Sequence, residues 1–370
     1  MAKTKPPYSR TFTKRAFGGA LVLLLLLSAT ACARSEDAPQ SSLEPAGEFA
    51  RAPDVLWNIT LAIAIVVFVL VEGALVFALI RFRHKEGRKA SQFHGNTKVE
   101  VVLTVVPALI LAGLAIPTIG TIFDLQGDPR EDVMRVEVIA HQFWWEFNYP
   151  DEGVTTANEL HIPVGEEVVL ELQGAATDGV DGNAEVIHSF WIPRLAGAQD
   201  MVPGHTNFLR ISADEPGRFM GQCKEFCGLS HANMRIVAYS HTQEDFDAWV
   251  DEQNAPAAEN ASGDAGAGQE IFTENFDVRS TVVEEGADAY ACASCHAVQP
   301  GLDAQPRIGP NLTHFAGRST FAGGTFENNA ENLAEWLRDP DGVRPGSKMP
   351  ALDLSDDQID SLVAYLESLE

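Results

Sequence analysis

Apolar residues are unevenly spread along this 370-residue chain. Three apolar runs lie in the first third, Ala16 to Leu27, Val55 to Ile80 and Val101 to Phe123. The second contains one charged residue, Glu72, and the third none. Each of these two can cross about 30 Å of hydrocarbon. Between them lies the basic stretch Arg81-Phe-Arg83-His-Lys85-Glu-Gly-Arg88-Lys89, which the positive-inside rule assigns to the cytoplasm. After Asp132 the pattern changes to short alternating runs at Met134–Ala140, Glu166–Leu172, Glu185–Ile192 and Arg235–Tyr239, with turn formers such as Pro163-Val-Gly and Pro203-Gly between them. Such alternation predicts a β-sandwich or barrel. Helical spacing returns at Glu244–Val250, Gly268–Asn275, Ala330–Arg338 and Ser355–Leu369. In the last, Ile359, Leu362, Val363, Tyr365 and Leu366 form an apolar stripe.

The expected architecture is therefore multi-domain: a two-helix transmembrane hairpin, a β-sandwich and an all-α domain. The predicted divisions are 1–31 signal peptide, 32–53 linker, 54–124 hairpin, 132–250 β domain, 251–267 flexible linker and 268–370 helical domain. Residues 1–31 combine a basic start, a short apolar run and the small residues Ser28-Ala29-Thr30-Ala31, as an export signal does. Cys32 follows directly, as in bacterial lipoprotein signals, and is the candidate lipid-attachment residue. Export and the basic loop agree on topology: two passes of the bacterial inner membrane, with both later domains on the periplasmic or external side. Glu72 is expected to face protein, because a carboxylate inside a bilayer is costly against lipid.

Charge narrows the partners. The net charge is −26, which excludes nucleic-acid binding, since that needs a basic surface. From Asp251 onward, 22 acidic residues stand against 6 basic ones. The last domain is thus the acidic one, suited to a basic protein donor.

Four of the five cysteines fall in two short motifs. The first is Cys223-Lys-Glu-Phe-Cys227-Gly-Leu-Ser-His231-Ala-Asn-Met234, which places two thiols, an imidazole and a thioether on one loop. This soft donor set suits copper. Both thiolates can bridge two copper ions. His188 and His231 then serve as terminal ligands, with Met234 and the Glu225 backbone carbonyl as weaker ones. The residues leave alternatives open: a mononuclear copper site, which needs one cysteine; a structural zinc site, which rarely uses methionine; or a Cys223–Cys227 disulfide. The second motif is Cys292-Ala-Ser-Cys295-His296, the spacing of covalent c-type haem attachment. His296 is the expected proximal iron ligand. Met349 is the expected distal one, with Lys348 and His314 as rivals.

Several ordered segments resemble subunit II of the haem–copper cytochrome c oxidases: Asn96-Thr-Lys-Val-Glu100, His141-Gln-Phe-Trp-Trp145, His188-Ser-Phe, Asp200-Met-Val-Pro-Gly204 and Gly221 to His231. With the haem motif, the chain resembles subunit II of a caa-type oxidase. The resemblance implies a cupredoxin-like domain carrying the binuclear copper centre CuA, ligated by His188, Cys223, Glu225, Cys227, His231 and Met234. It also implies a class I cytochrome c domain, a magnesium site at the Glu225 side chain shared with subunit I, and Glu100 at the mouth of a proton pathway. Ile308-Gly-Pro-Asn-Leu312 resembles the loop beneath the proximal ligand of cytochromes c. The resemblance further implies an oxidase activity whose oxygen site lies in subunit I, not in this chain. The expected partners are subunit I, other oxidase subunits, the membrane and an external cytochrome c or similar donor. Phe143, Trp144 and Trp145 are the expected electron-input or relay residues, although many members have an exposed tryptophan where this chain has Phe143. The alternative is a copper-containing subunit of a nitric oxide or nitrous oxide reductase. The two-span hairpin and Glu100 favour the oxidase.

Overall fold

Two long apolar helices come first in the computed structural model, α1 (Glu48–Arg81) and α2 (Thr97–Gln126). The structure describes residues 38–83, 87, 94–127, 133–175, 186–257, 262–277, 289–304 and 308–370. The signal peptide and Cys32 lie outside these residues. Both helices expose apolar side chains along their length, as expected of spans whose surroundings are hydrocarbon or other subunits. Asn96 caps α2 by accepting from Lys98 N and Val99 N. Glu100 lies in the first turn of α2, where the helix dipole favours a carboxylate.

Arg210 joins the hairpin to the domain that follows. Its Nη1 donates to Asp124 O at 2.8 Å and its Nε to Glu167 Oε1 at 2.6 Å, while the guanidinium lies 4.6 Å from the Phe49 ring centre. Glu48 N donates to Ser212 Oγ at 3.1 Å, and Arg51 pairs with Asp214.

That domain is a β-sandwich. Its strands are β1 (Met134–His141), β2 (Trp144–Tyr149), β3 (Val154–Ala157), β4 (Glu159–Pro163), β5 (Val168–Gly174), β6 (His188–Phe190), β7 (Gln199–Met201), β8 (Asn207–Ile211), β9 (Gly217–Gln222) and β10 (Arg235–His241). One sheet has the order β3-β2-β1-β5-β8, a second β4-β10-β9, and β6 pairs with β7. Alternate residues of β1, Val136, Val138 and Ala140, are buried with Leu170, Leu172, Phe147 and Phe190. This is the period of two by which a strand turns one face to a core. Helix α3 (Gln243–Asn254), capped by Thr242, follows the sandwich.

The C-terminal domain contains α4 (Asp264–Thr273), α5 (Ala330–Arg338), α6 (Pro340–Val343) and α7 (Asp356–Leu366). The ends of the expected 251–267 linker are thus helical. Phe272, Leu333, Trp336, Leu337, Ile359, Leu362 and Leu366 form its core. The predicted stripe on α7 is the buried face of that helix. Two short hairpins add β11 (Phe276–Asp277) with β12 (Ala289–Tyr290), and β13 (Thr320–Phe321) with β14 (Phe326–Glu327).

Candidate metal and haem sites

The strands β9 and β10 pair in antiparallel register, Arg235 opposite Gln222, and the loop between them holds the first motif. Cys223 N donates to Met234 O and Lys224 N to Ser189 O, both at 2.9 Å. The ends of the loop are thereby fixed to each other and to β6, which supplies His188. The sulfurs of Cys223 and Cys227 are 3.9 Å apart, two separate thiols rather than a disulfide, whose bond is about 2.05 Å. Cys223 Sγ is 3.8 Å from His188 Nδ1 and 3.2 Å from Glu225 O. Cys227 Sγ is 3.7 Å from His231 Nδ1 and 3.8 Å from Met234 Sδ. Each sulfur therefore has an imidazole and a weaker donor beside it.

Their contact splits the two thiols: the neighbouring Cys227 lowers the Cys223 pKa to about 4, while Cys223 and burial raise that of Cys227. A depressed Cys223 pKa favours cation binding, because a metal takes the deprotonated sulfur. Two sulfurs, two imidazoles, a thioether and a carbonyl fit copper in chemical character. The thioether beside Cys227 is a poor match to structural zinc. The Glu225 side chain is exposed on the outer lip of the loop, next to exposed Phe226 and Leu229.

The second motif forms a single turn of 3-10 helix, Cys292–Ser294. His296 Nδ1 lies 2.8 Å from Pro310 O. A carbonyl can only accept, so the ring proton sits on Nδ1 and Nε2 keeps its lone pair for a metal. Burial lowers the His296 pKa, which also keeps the ring neutral. Gly309 makes room for the ring: a Cβ there would stand 2.4 Å from His296 Cε1.

Cys292, Cys295, His296 and Met349 all line one cavity, with apolar walls that include Leu333 and Leu362. Burial raises both thiols, Cys292 to about 11. Trp336 Nε1 donates to Met349 Sδ at 3.1 Å. Lys348 also lines the cavity, whereas His314 faces Ala255 O at 3.1 Å. Two more residues on the wall, half-buried Arg318 and buried Arg344, carry guanidiniums whose pKa desolvation lowers to about 10. Glu159 acts on Arg318 through its charge, and among the described residues Arg344 Nε has no hydrogen-bond partner. An apolar slot with two thiols, an imidazole, a thioether and two cations fits a haem, which brings a flat apolar ring and two carboxylates.

The cavity has a wall from each domain, for Gln142, Phe143 and Trp144 also line it. Gln142 Nε2 in turn donates to Cys227 O at 2.5 Å. The segment expected to meet an external donor is therefore covered. Phe143 is 3% exposed, Trp144 9% and Trp145 0%. Trp145 is buried in the sandwich core against His188 and Phe190, whereas Phe143 and Trp144 also face the cavity shared with the cytochrome-like domain. These rings can relay between the two sites, but they present no open surface to an outside protein. The sequence motifs carried no sign of Gln142, Arg318, Arg344 or Trp336 as site residues. Gln142 stood within a recognised segment, but the other three act only through tertiary contacts.

Three family models match the chain: "Cytochrome C oxidase subunit II, transmembrane domain" over 46–120, "Cytochrome C oxidase subunit II, periplasmic domain" over 134–241, and "Cytochrome c" over 283–370. Cytochrome c oxidase subunit 2 of Alkalihalophilus pseudofirmus is 37% identical over 94% of this chain and 95% of its own length. That of Bacillus sp. strain PS3 is 36% identical over 89% of this chain and 91% of its own. The crystal structure of the periplasmic domain of cytochrome oxidase subunit II from Bradyrhizobium japonicum is 28% identical, with a TM-score of 0.30 over 34% of this chain and 94% of that one. The oxidase domain implies the copper centre CuA and the cytochrome domain implies haem c. With a two-helix membrane anchor, a cupredoxin-like sandwich and a helical cytochrome domain in one polypeptide, this chain belongs to the cytochrome c oxidase subunit II family.

Proposed function

We propose that this chain is the electron-input subunit of a haem–copper oxidase, facing the periplasm or exterior. When bound, haem c and binuclear CuA supply one-electron transfer from an external donor to haem a in subunit I, where oxygen is reduced to water with proton translocation. The reading is carried by one observation: the two thiols of Cys223 and Cys227, 3.9 Å apart, each flanked by an imidazole and a weaker donor.

In this reading His188, Cys223, Cys227, His231, Met234 and the Glu225 carbonyl hold the copper pair. Cys292 and Cys295 add to haem vinyl groups. His296 and Met349 ligate the iron, and Arg318 and Arg344 offset the haem carboxylates. Phe143, Trp144 and Trp145 fill the space between the centres and exclude water, which keeps the surroundings rigid and of low polarity. The exposed Glu225 side chain contributes to a magnesium site against subunit I, and Glu100 gathers protons at the start of α2. The basic loop after α1 lies in the cytoplasm. Cys32 carries lipid after signal cleavage.

Metal analysis of the purified complex tests this, with about two coppers and one c-type haem iron expected per chain. Cys227→Ser should abolish the copper signal and spare the haem. A colourless, copper-free chain after correct maturation contradicts the proposal. Consumption of a nitrogen oxide in place of oxygen would assign the complex to the reductase class.

A further inference from the structure

The copper and cytochrome domains meet through polar contacts that centre on one buried carboxylate. Glu159, at the start of β4 in the copper domain, is 3% exposed. Its Oε1 accepts from Ser319 N at 3.0 Å, Ser319 Oγ at 2.6 Å, Thr320 N at 3.0 Å and Thr320 Oγ1 at 3.1 Å. All four donors belong to the cytochrome domain, about 160 residues further along the chain. Ser319 Oγ is also 2.6 Å from Tyr239 OH of β10.

The hairpin that follows continues the contact. Arg235 N donates to Gly323 O at 2.8 Å and Thr325 Oγ1 to Asn233 O at 2.8 Å. Arg344 Nη2 donates to Phe143 O at 3.1 Å. Gly323 adopts φ +70°, and a Cβ there would lie 2.8 Å from Phe143 O and 2.9 Å from Asn233 O. A tether alone would only raise the local concentration of one domain near the other. A buried carboxylate needs its hydrogen bonds, and separating the domains would strip it of four.

We propose that Glu159 is a latch. It accepts from Ser319 and Thr320, and so holds the cytochrome domain in one fixed pose on the copper domain. Glu159, with Gly323 opposite, is a positioning residue for transfer between the two centres. This rests on the proposed electron route. One electron leaves the reduced haem and one is gained by the oxidised copper pair, with no proton moved. A latched pair transfers without prior domain motion, so its rate is independent of solvent viscosity.

The test uses the whole oxidase complex. Amide exchange at Ser319 and Thr320 should be slow in the native chain and about 10- to 100-fold faster in Glu159→Ala. Glu159→Gln, which keeps an acceptor oxygen, should fall between. Gly323→Val reaches the interface from the other side and should speed the same amides. Transfer from flash-reduced haem to copper should be unaffected by glycerol in the native complex. In Glu159→Ala it should slow and become viscosity-dependent, with both optical spectra unchanged. Equal amide exchange in the native and Glu159→Ala chains, or a native rate that falls with viscosity, overturns the latch. If the native complex lacks copper or transfers no electron between the centres, the proposed function fails, and amide exchange still decides the latch.

Discussion

The indole N–H of Trp336 donates to the thioether sulfur of Met349 across 3.1 Å. The candidate distal ligand is thus aimed by a residue of α5, while Arg344 lies 5.6 Å from the same indole ring. A hydrogen bond to sulfur withdraws electron density and weakens its donation to ferric iron. Trp336→Phe keeps the aromatic bulk and removes the donor. The haem c midpoint potential should fall, as read by redox titration, and a potential at or above the native value would contradict this role. Met349→Leu should alter the haem spectrum and leave copper content intact.

Gly309 faces the opposite side of the cavity, under His296. Gly309→Ala places a methyl 2.4 Å from Cε1 of the ring. Overpacking of this kind typically costs about 1–3 kcal/mol. The ring should tilt and lose its bond to Pro310 O. The expected outcome is a weakened low-spin haem spectrum with normal copper content; a native spectrum would show that the loop can retreat.

A second histidine cluster sets an acid limit on the fold. His161 Nδ1 is 2.9 Å from His241 Nε2, and the His161 ring stacks on Trp249 at 4.3 Å. Burial lowers the pKa of His161 well below the usual histidine value, with His241 and Arg318 adding to the effect, and burial lowers His241 too. The unfolded chain therefore binds more protons than the folded one below about pH 6.5. This stability is present above that pH and is lost as the pH falls through it. The melting temperature of the complex should drop between about pH 7.5 and about pH 5.5, and less steeply for His161→Phe. Parallel curves for the two proteins would contradict the assignment.

The acidic C-terminal third makes donor capture sensitive to salt. Turnover with a basic soluble donor should fall as ionic strength rises from about 0.01 M to about 0.15 M, because the screening length shortens from about 30 Å to about 8 Å. Transfer within the chain should not change over the same range. A donor reaction indifferent to salt would mean that the negative field of this domain does not steer it.

Local signals carry much of this architecture. The two spans, the alternation of β1 and the stripe of α7 each follow from a short window of residues. So does the copper loop, since Cys223 to Met234 supplies five of six donors within one turn of chain. His188 stands outside that loop, and its seat beside Cys223 depends on β6 being fixed to the loop. What the sequence hid was contact between distant segments. Glu159 is an ordinary acid until Ser319 and Thr320 are laid against it. Phe143 sits in a segment that reads as an exposed donor surface, yet it is buried between the sandwich core and the cavity shared with the cytochrome domain. Arg318 and Arg344 belong to no motif, and their burial beside the haem cavity depends on the fold.

One pocket has walls drawn from two independently recognisable domains, with Phe143 on one side and Met349 on the other. Any molecule that fills it touches both, and so favours the joined arrangement over the parted one by its own binding free energy. The prosthetic group would then also act as mortar: the grip of one domain on the other and the grip of both on the pigment become a single thermodynamic quantity.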